Sequence, residues 1–491
     1  MSKATKTLLG AITLVADAIL KRLIGLISTL ILARILAPED FGLIAIAMIV
    51  IGFASVLSVT GSEQYILQKD TVNDDILNSA WTLDLLLKAG VFIILLVSAP
   101  YVADFYQKEE LTGIIRAISF LVILGALGNP GILLFKREQK YKAIFKISLI
   151  SKVISVIVTI TIAVVYQNYW ALIIGHLVSV STRIIGTYFI HNHRPRLCFT
   201  KIKEQWRFSA WMMPQACLGY LRTQLDTFLV SNFYGEKQLG SYHIMKYIAF
   251  MPSSELIAPA TSPLLAELAK SRNNIKDFRY QFNLSFLVTL AVALPMAIFL
   301  FQFDYLVVGL LLGDQWLPYS NLFGYMALLG IAVVLLHQSI RVLIVFEKTK
   351  LVFYYELVAF ISLYGTLLSI GIEDINTFTM VRVLMENCFC IVLFLAVAYY
   401  ILKKQLWYLL TLIFPLLASV FIATFLSGFF LLVETHLILE IIIRGGLFVV
   451  AYILSLVGSY LVFYNKTEEG RHISHLLIKQ LTQLQSIVLK R

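Results

Sequence analysis

Apolar residues run along this chain in blocks of about twenty, separated by short polar segments. A block of that length, wound as a helix, matches the thickness of a bilayer's hydrocarbon core. In lipid every backbone polar group has to be paired within its own segment, so the blocks are read as helices. Windows of this size predict spans near 13–35, 41–60, 80–103, 113–135, 147–166 and 169–190. A second set lies near 209–234, 240–265, 281–303, 317–340, 351–371 and 376–402, and two more near 408–432 and 440–463. The first and seventh are the most polar. The pattern predicts an all-α polytopic membrane protein of about fourteen transmembrane helices.

The polar segments test the count and set a direction. On one side fall Lys3, Lys6 and Lys69, then the cluster Lys136, Arg137, Lys140, Lys142 and Lys146. The same side carries Arg194 to Arg207, Lys270 to Arg279, Arg341 to Lys350, Lys403, Lys404 and the basic tail. The alternate segments hold little beyond Arg34, Lys108, Lys237 and Arg444. Positive charge collects on the cytoplasmic side of membrane proteins, so both ends are expected in the cytoplasm. A missed or invented helix would scramble this alternation from that point onward.

Composition agrees. Of 491 residues 59% are hydrophobic and 14% charged, with a mean hydropathy of +0.83; soluble domains carry about 25% charged residues. The net charge of +11 sits in short inter-span segments and predicts no nucleic-acid partner. Cys217, Cys388 and Cys390 fall in apolar runs and Cys198 in a basic loop, which argues for reduced thiols. Lys21 and Arg22 interrupt the first apolar stretch, unlike a cleaved signal peptide. After Asn465, Ile473, Leu476, Leu477, Leu481, Leu484 and Val488 recur at helical spacing. This tail is predicted to be an amphipathic helix on the cytoplasmic membrane surface.

The chain repeats itself. Leu32-Ala33-Arg34-Ile35-Leu36-Ala37-Pro38-Glu39-Asp40-Phe41-Gly42 closes the first span, and Val230-Ser231-Asn232-Phe233-Tyr234-Gly235-Glu236-Lys237-Gln238-Leu239-Gly240 closes the seventh. Aligning Gly42 with Gly240 superposes an apolar helix end, a polar turn, an apolar residue and a glycine. An even number of spans separates the copies, so both run in one direction. This is the parallel type of transporter repeat. It divides the chain into a first lobe (1–207), a second lobe (208–404), two further helices (405–464) and the tail (465–491).

The segment Leu30 to Gly42 resembles the first-helix motif of Wzx-type polysaccharide flippases, relatives of the lipid II flippase MurJ and of MATE drug exporters in the MOP superfamily. Leu225-Asp226-Thr227-Phe228-Leu229 through Gly240-Ser241-Tyr242 matches the element that opens the second lobe, and within the family the chain is most similar to colanic-acid and exopolysaccharide exporters. The resemblance implies two six-helix lobes forming a V around a central cavity. It also implies transport of an undecaprenyl-pyrophosphate-linked oligosaccharide from the cytoplasmic to the periplasmic leaflet. Membrane lipids and polysaccharide polymerase machinery are the other partners it implies, and the last two helices would line a groove for the lipid tail.

Ionisable residues inside spans cost about 2.5–3.5 kcal/mol each on insertion scales. Asp17 with Lys21, Asp84 with Lys88, Arg222 with Asp226 and Arg382 with Glu386 stand one turn apart, where opposite charges meet on one face. Arg22, Lys152, Arg183 and Lys246 have no acid at that spacing. A pyrophosphate crossing a low-dielectric region requires compensating cations. Lys21, Arg22, Arg222 and Lys246 are the candidate substrate contacts, with Arg34 as a weaker one that also fits a position flanking the membrane. Asp226, beside Thr223 and Thr227, is the candidate site for Na+ or H+ coupling, with neutralisation of Arg222 as the competing role. His176 and His337 read as packing residues. Pro252, Pro259 and Pro263 predict a bent eighth span lining the cavity.

No cofactor is expected: there is no P-loop, no HExxH and no sizeable extramembrane domain. A MATE-like cation-coupled multidrug antiporter is the rival within transporters. A membrane-embedded glycosyltransferase or polymerase is the rival among enzymes, and short loops speak against it. A scaffold would leave the intramembrane charges unexplained.

Overall fold

The computed structural model describes residues 20–21, 23–68, 71–138, 140–253, 274–346, 348–369, 374–401, 406–429 and 437–463. Arg22, Asp17, Pro259, Pro263 and the tail 465–491 lie outside the described residues, as does the side chain of Arg222. The described residues are helices joined by turns and, at 191–199, by a longer non-helical segment. They are α1 (Leu23–Ile35), α2 (Pro38–Leu57), α3 (Ser62–Gln68), α4 (Asp74–Tyr106), α5 (Glu110–Ala126), α6 (Ile132–Arg137), α7 (Tyr141–Tyr166), α8 (Trp170–Ile190), α9 (Ile202–Phe233) and α10 (Gly235–Pro252). There follow α11 (Ile275–Gln302), α12 (Asp304–Leu312), α13 (Ser320–Ala327), α14 (Leu329–Val345), α15 (Thr349–Ser369), α16 (Ile375–Ala396), α17 (Leu406–Phe429), α18 (Leu437–Glu440) and α19 (Gly446–Phe463).

Ten helical stretches of the described residues are long and apolar enough to cross a bilayer. The protein is an all-α polytopic membrane protein. The four other predicted spans fall short for separate reasons. The first begins among residues not described, and the described part of the eighth ends at Ser253. The seventh, α9, carries many polar side chains. The fourth is predicted at 113–135, but its helix stops at Ala126 after 17 residues. The Asn129-Pro130-Gly131 turn breaks it: Asn129 Oδ1 accepts from Gly131 N at 2.9 Å, and α6 starts afresh. The tenth span, Asp314–Leu343, begins just after a glycine. Gly313 has a φ of 97°, which glycine adopts without strain, and it separates α12 from a 3₁₀ turn at Asp314–Tyr319.

Helix starts follow side-chain caps readable from the chain. Asn73 accepts from Ile76 N at 3.0 Å, Asn274 from Lys276 N at 3.1 Å and Asp374 from Thr377 N at 3.0 Å. Each satisfies one of the free donors of a helix's first turn.

The chain forms two compact units, Met1–Ile244 and Met245–Arg491. In the first, α9 packs on α2: Tyr220 Oη donates to Ile49 O at 2.8 Å, and its ring lies 6.3 Å from that of Phe53. Packing thus joins to the first unit a helix that the repeat assigns to the second lobe. In the second unit α11 is central. Phe282, Phe286 and Phe394 stack between α11 and α16. The last two spans fasten to α11 through Tyr452 Oη to Ala291 O (2.7 Å) and Gln302 Nε2 to Thr424 O (3.0 Å). Their outer faces, with Phe421, Phe425, Phe429 and Leu454, are exposed, as lipid-facing helices should be.

Candidate functional site

The first-helix motif ends in a turn in which each residue has a physical task. Pro38 occupies the first position of α2, where its missing N–H costs nothing. Asp40 reaches back to accept from Ala37 N at 3.1 Å and, with its other oxygen, from Tyr169 N at 3.1 Å. It thereby caps α2 and ties it to the turn before α8. Glu39 lies 3.3 Å from Lys237 Nζ.

Gly42 lacks a side chain because there is no room for one. A Cβ there would meet the backbone carbonyl of Glu236, and one on Gly240 would meet the carbonyl of Pro38 and the amide of Gly42. The two glycines aligned in the sequence repeat are therefore in direct contact, at the starts of α2 and α10. Glu236 makes a further ion pair with Lys108 at 2.8 Å. Cations on the sparsely charged side thus sit beside acids: Lys108 by Glu236, Lys237 by Glu39, and Arg444 by Glu440 at 2.5 Å. Such pairing lowers the positive charge on the face where the topology expects little.

Asp226 lies in the C-terminal half of α9 and is fully buried. Its Oδ2 accepts from Tyr242 Oη of α10 at 2.8 Å and its Oδ1 from Thr227 Oγ1 at 3.4 Å. Tyr242 is itself fully buried. Thr223 Oγ1 donates to Tyr220 O at 3.0 Å. Nearby, Tyr106 and Ser231 hydroxyls bond at 3.1 Å and tie α4 to α9. A buried carboxylate held by hydroxyls can stay ionised beside a cation or accept a proton. Among the described residues no group of three or more His, Cys, Asp or Glu stands where a metal could be held.

Three of the predicted cations, Lys21, Arg34 and Lys246, have described side chains. Lys21 donates to Ser148 Oγ of α7 at 2.9 Å. Arg34 is exposed near the end of α1. Lys246 is half-buried on α10. Of the intrahelical pairs, Asp84–Lys88 forms at 2.7 Å and Arg382–Glu386 at 3.7 Å. His176 and His337 are exposed on their helices.

Tyr242 escaped notice in the sequence because its partner is 16 positions away on another helix. Its signal was available: it stands two residues after the repeat glycine, in the matched element that also contains Asp226.

Residues 31–321, more than half of the chain, match the family model described as "Polysaccharide biosynthesis protein". The chain is 25% identical to the lipopolysaccharide biosynthesis protein WzxC of Escherichia coli (strain K12) over 64% of its own length and 65% of that protein's. It is 23% identical to the succinoglycan biosynthesis transport protein ExoT of Rhizobium meliloti (strain 1021), covering 61% of each. The aligned region spans just under two thirds of these relatives. In fold it is similar to the lipid II flippase MurJ in its inward closed conformation, with a TM-score of 0.70 at 13% identity over 94% of this chain and 99% of that one. A MATE multidrug transporter of the MOP superfamily is similar at a TM-score of 0.52 and 14% identity, over 80% of this chain and 99% of that one. With the MurJ-like fold and a matched region that includes the first-helix motif and the buried Asp226, the chain belongs to the polysaccharide biosynthesis protein family.

Proposed function

We propose that this protein is a flippase that carries a lipid-linked oligosaccharide across the bacterial cytoplasmic membrane for surface polysaccharide synthesis. Undecaprenyl pyrophosphate is the carrier in this reading, both chain termini face the cytoplasm, and alternating access is the mode of transport. The observation that carries the reading is the union of a flippase fold with a family whose members are named for polysaccharide export.

The residues support distinct parts. Lys21, Arg22, Arg34, Arg222 and Lys246 supply positive charge for the pyrophosphate, whose passage demands compensation in low dielectric. Asp226, held by Tyr242, is the coupling site for Na+ or H+. The contact of Gly42 with Gly240 joins the starts of α2 and α10 at the end opposite the basic loops. Opening toward the periplasm requires that contact to part.

Deletion in the native host tests the reading. Lipid-linked oligosaccharide should accumulate facing the cytoplasm and surface polysaccharide should fall. Unchanged polysaccharide with heightened drug sensitivity would point to an antiporter instead.

A further inference from the structure

The first unit carries an open cavity of about 690 Å³ near the basic segment 136–146, a volume typical of small-molecule sites. Its wall comes from the last turn of α2, the turn that follows it, α3, α4, α5, the Asn129 turn with α6, and α8. None of Lys21, Arg34, Asp226 or Lys246 lines it.

The charged lining is nearly balanced: Lys88, Lys136 and Arg183 against Asp84 and Glu63. Lys88 lies 2.7 Å from Asp84 and Lys136 2.7 Å from Glu63. These four side chains stay 21–44% exposed, so their remaining bonding capacity is reachable. An ammonium has three donors and a carboxylate about four acceptor positions. Asp84 uses two, for Lys88 and for Thr60 Oγ1 at 3.1 Å; Glu63 uses one, for Lys136. The wall therefore offers donors and acceptors side by side, with hydroxyls of Ser62 and Thr187 among them.

A phosphate calls for unneutralised cations, whereas here Lys88 and Lys136 are already paired and two carboxylates would repel it. A polyhydroxylated ring presents donors and acceptors in similar number without net charge, which this wall matches. Trp81 adds an aromatic surface of the kind that covers the apolar face of such a ring. Arg183 is exposed and makes no hydrogen bond or ion pair with another described residue. It suits one acidic substituent on the sugar.

We propose that this cavity is a saccharide-binding site that takes the sugar head of the exported oligosaccharide on the cytoplasmic side and discriminates among repeat units. The identity of the sugar rests on the flippase reading; the site's preference for a hydroxyl-rich ligand rests on the wall itself.

The test uses the full-length protein in lipid nanodiscs, titrated calorimetrically with the oligosaccharide freed by mild acid from the host's lipid-linked pool. The wild type binds saturably, and inorganic pyrophosphate does not displace the sugar. Glu63→Gln, at the exposed rim, weakens binding roughly three- to tenfold, and Trp81→Leu weakens it at least as much. No binding by the wild type, equal affinity in Glu63→Gln, or displacement by pyrophosphate would overturn the proposal. The two readings separate cleanly. If the deletion strain loses export while Glu63→Gln binds and exports like the wild type, the cavity proposal falls and the flippase stands. If the deletion strain exports normally yet binding depends on Glu63, the saccharide site stands and the flippase reading falls.

Discussion

Gly42 and Gly240 touch each other, and they do so reciprocally. Gly42 faces the carbonyl of Glu236 and Gly240 faces that of Pro38. In the register that aligns the two glycines, Pro38 and Glu236 are themselves counterparts, each four residues upstream. The contact therefore has the self-complementary form of a two-fold interface, with residue i on j and j's counterpart on i's. Glu39 and Lys237 are also counterparts, so the local symmetry juxtaposes positions to which divergence has given opposite charges.

Replacing either glycine should be costly because the obstructing atoms are backbone. Gly42→Ala and Gly240→Ala are each expected to destabilise the protein by about 1–3 kcal/mol. The double variant should deviate from additivity, since both sites share one contact. Thermal unfolding in detergent would measure this; unchanged melting of both single variants would refute the close approach.

The Lys108–Glu236 pair gives a pH dependence of known sign. The hydrogen bond to Glu236 raises the Lys108 ammonium above its usual 10.5. A raised basic group contributes fully below its unfolded value and loses its contribution as pH rises through the folded one. The side chains are 40% and 23% exposed, so the coupling should be about 0.2–1 kcal/mol. A double-mutant cycle with Lys108→Met and Glu236→Gln should show coupling at neutral pH that disappears above the folded value. Coupling that persists there would contradict the assignment.

Tyr242→Phe removes the 2.8 Å bond to buried Asp226 and should cost about 1–3 kcal/mol. Asp226→Asn keeps an acceptor for Tyr242 while abolishing ionisation. If Asp226 couples transport to an ion, export by this variant should fall at least about tenfold at near-native stability, a barrier change of about 1.4 kcal/mol. Normal export would remove Asp226 from the coupling role.

Cys198 should be an unusually reactive thiol for a loop cysteine. Hydrogen bonds with Ser79 (3.4 Å) and Thr200 (3.2 Å) favour its thiolate and hold it below the usual 9.0. With the other three cysteines replaced, the alkylation rate should therefore titrate below pH 9.0, and Ser79→Ala should move the midpoint upward. A midpoint that ignores Ser79 would count against this environment.

Asn129 fastens the turn after α5 to the segment after α8. Its Nδ2 donates to His191 O at 3.1 Å and His193 O at 2.8 Å, and its backbone N–H donates to Thr187 Oγ1 at 3.1 Å. Asn129→Ala should destabilise by about 1–3 kcal/mol. Asn129→Asp should do at least as badly, because it sets a carboxylate against two carbonyl oxygens. Stability equal to the wild type in both would show that the turn is held elsewhere.

The sequence by itself determined the membrane class, the positions of most helices and the repeat. These depend on local quantities: apolar length against bilayer thickness, and caps or turn residues within four positions. It erred at 113–135 because hydropathy runs through the Asn129-Pro130-Gly131 turn, and an average over twenty residues cannot see a break of three. It also marked Asp84–Lys88 and Arg382–Glu386, since one helical turn sets their spacing. Only the tertiary structure decided who meets across helices. Asp226 finds Tyr242, Lys21 finds Ser148, and Glu63 finds Lys136, each by packing between distant segments. The repeat glycines show the division most plainly. Alignment identifies them as equivalent, but equivalence does not imply contact; their contact arises because the starts of α2 and α10 approach until no side chain fits.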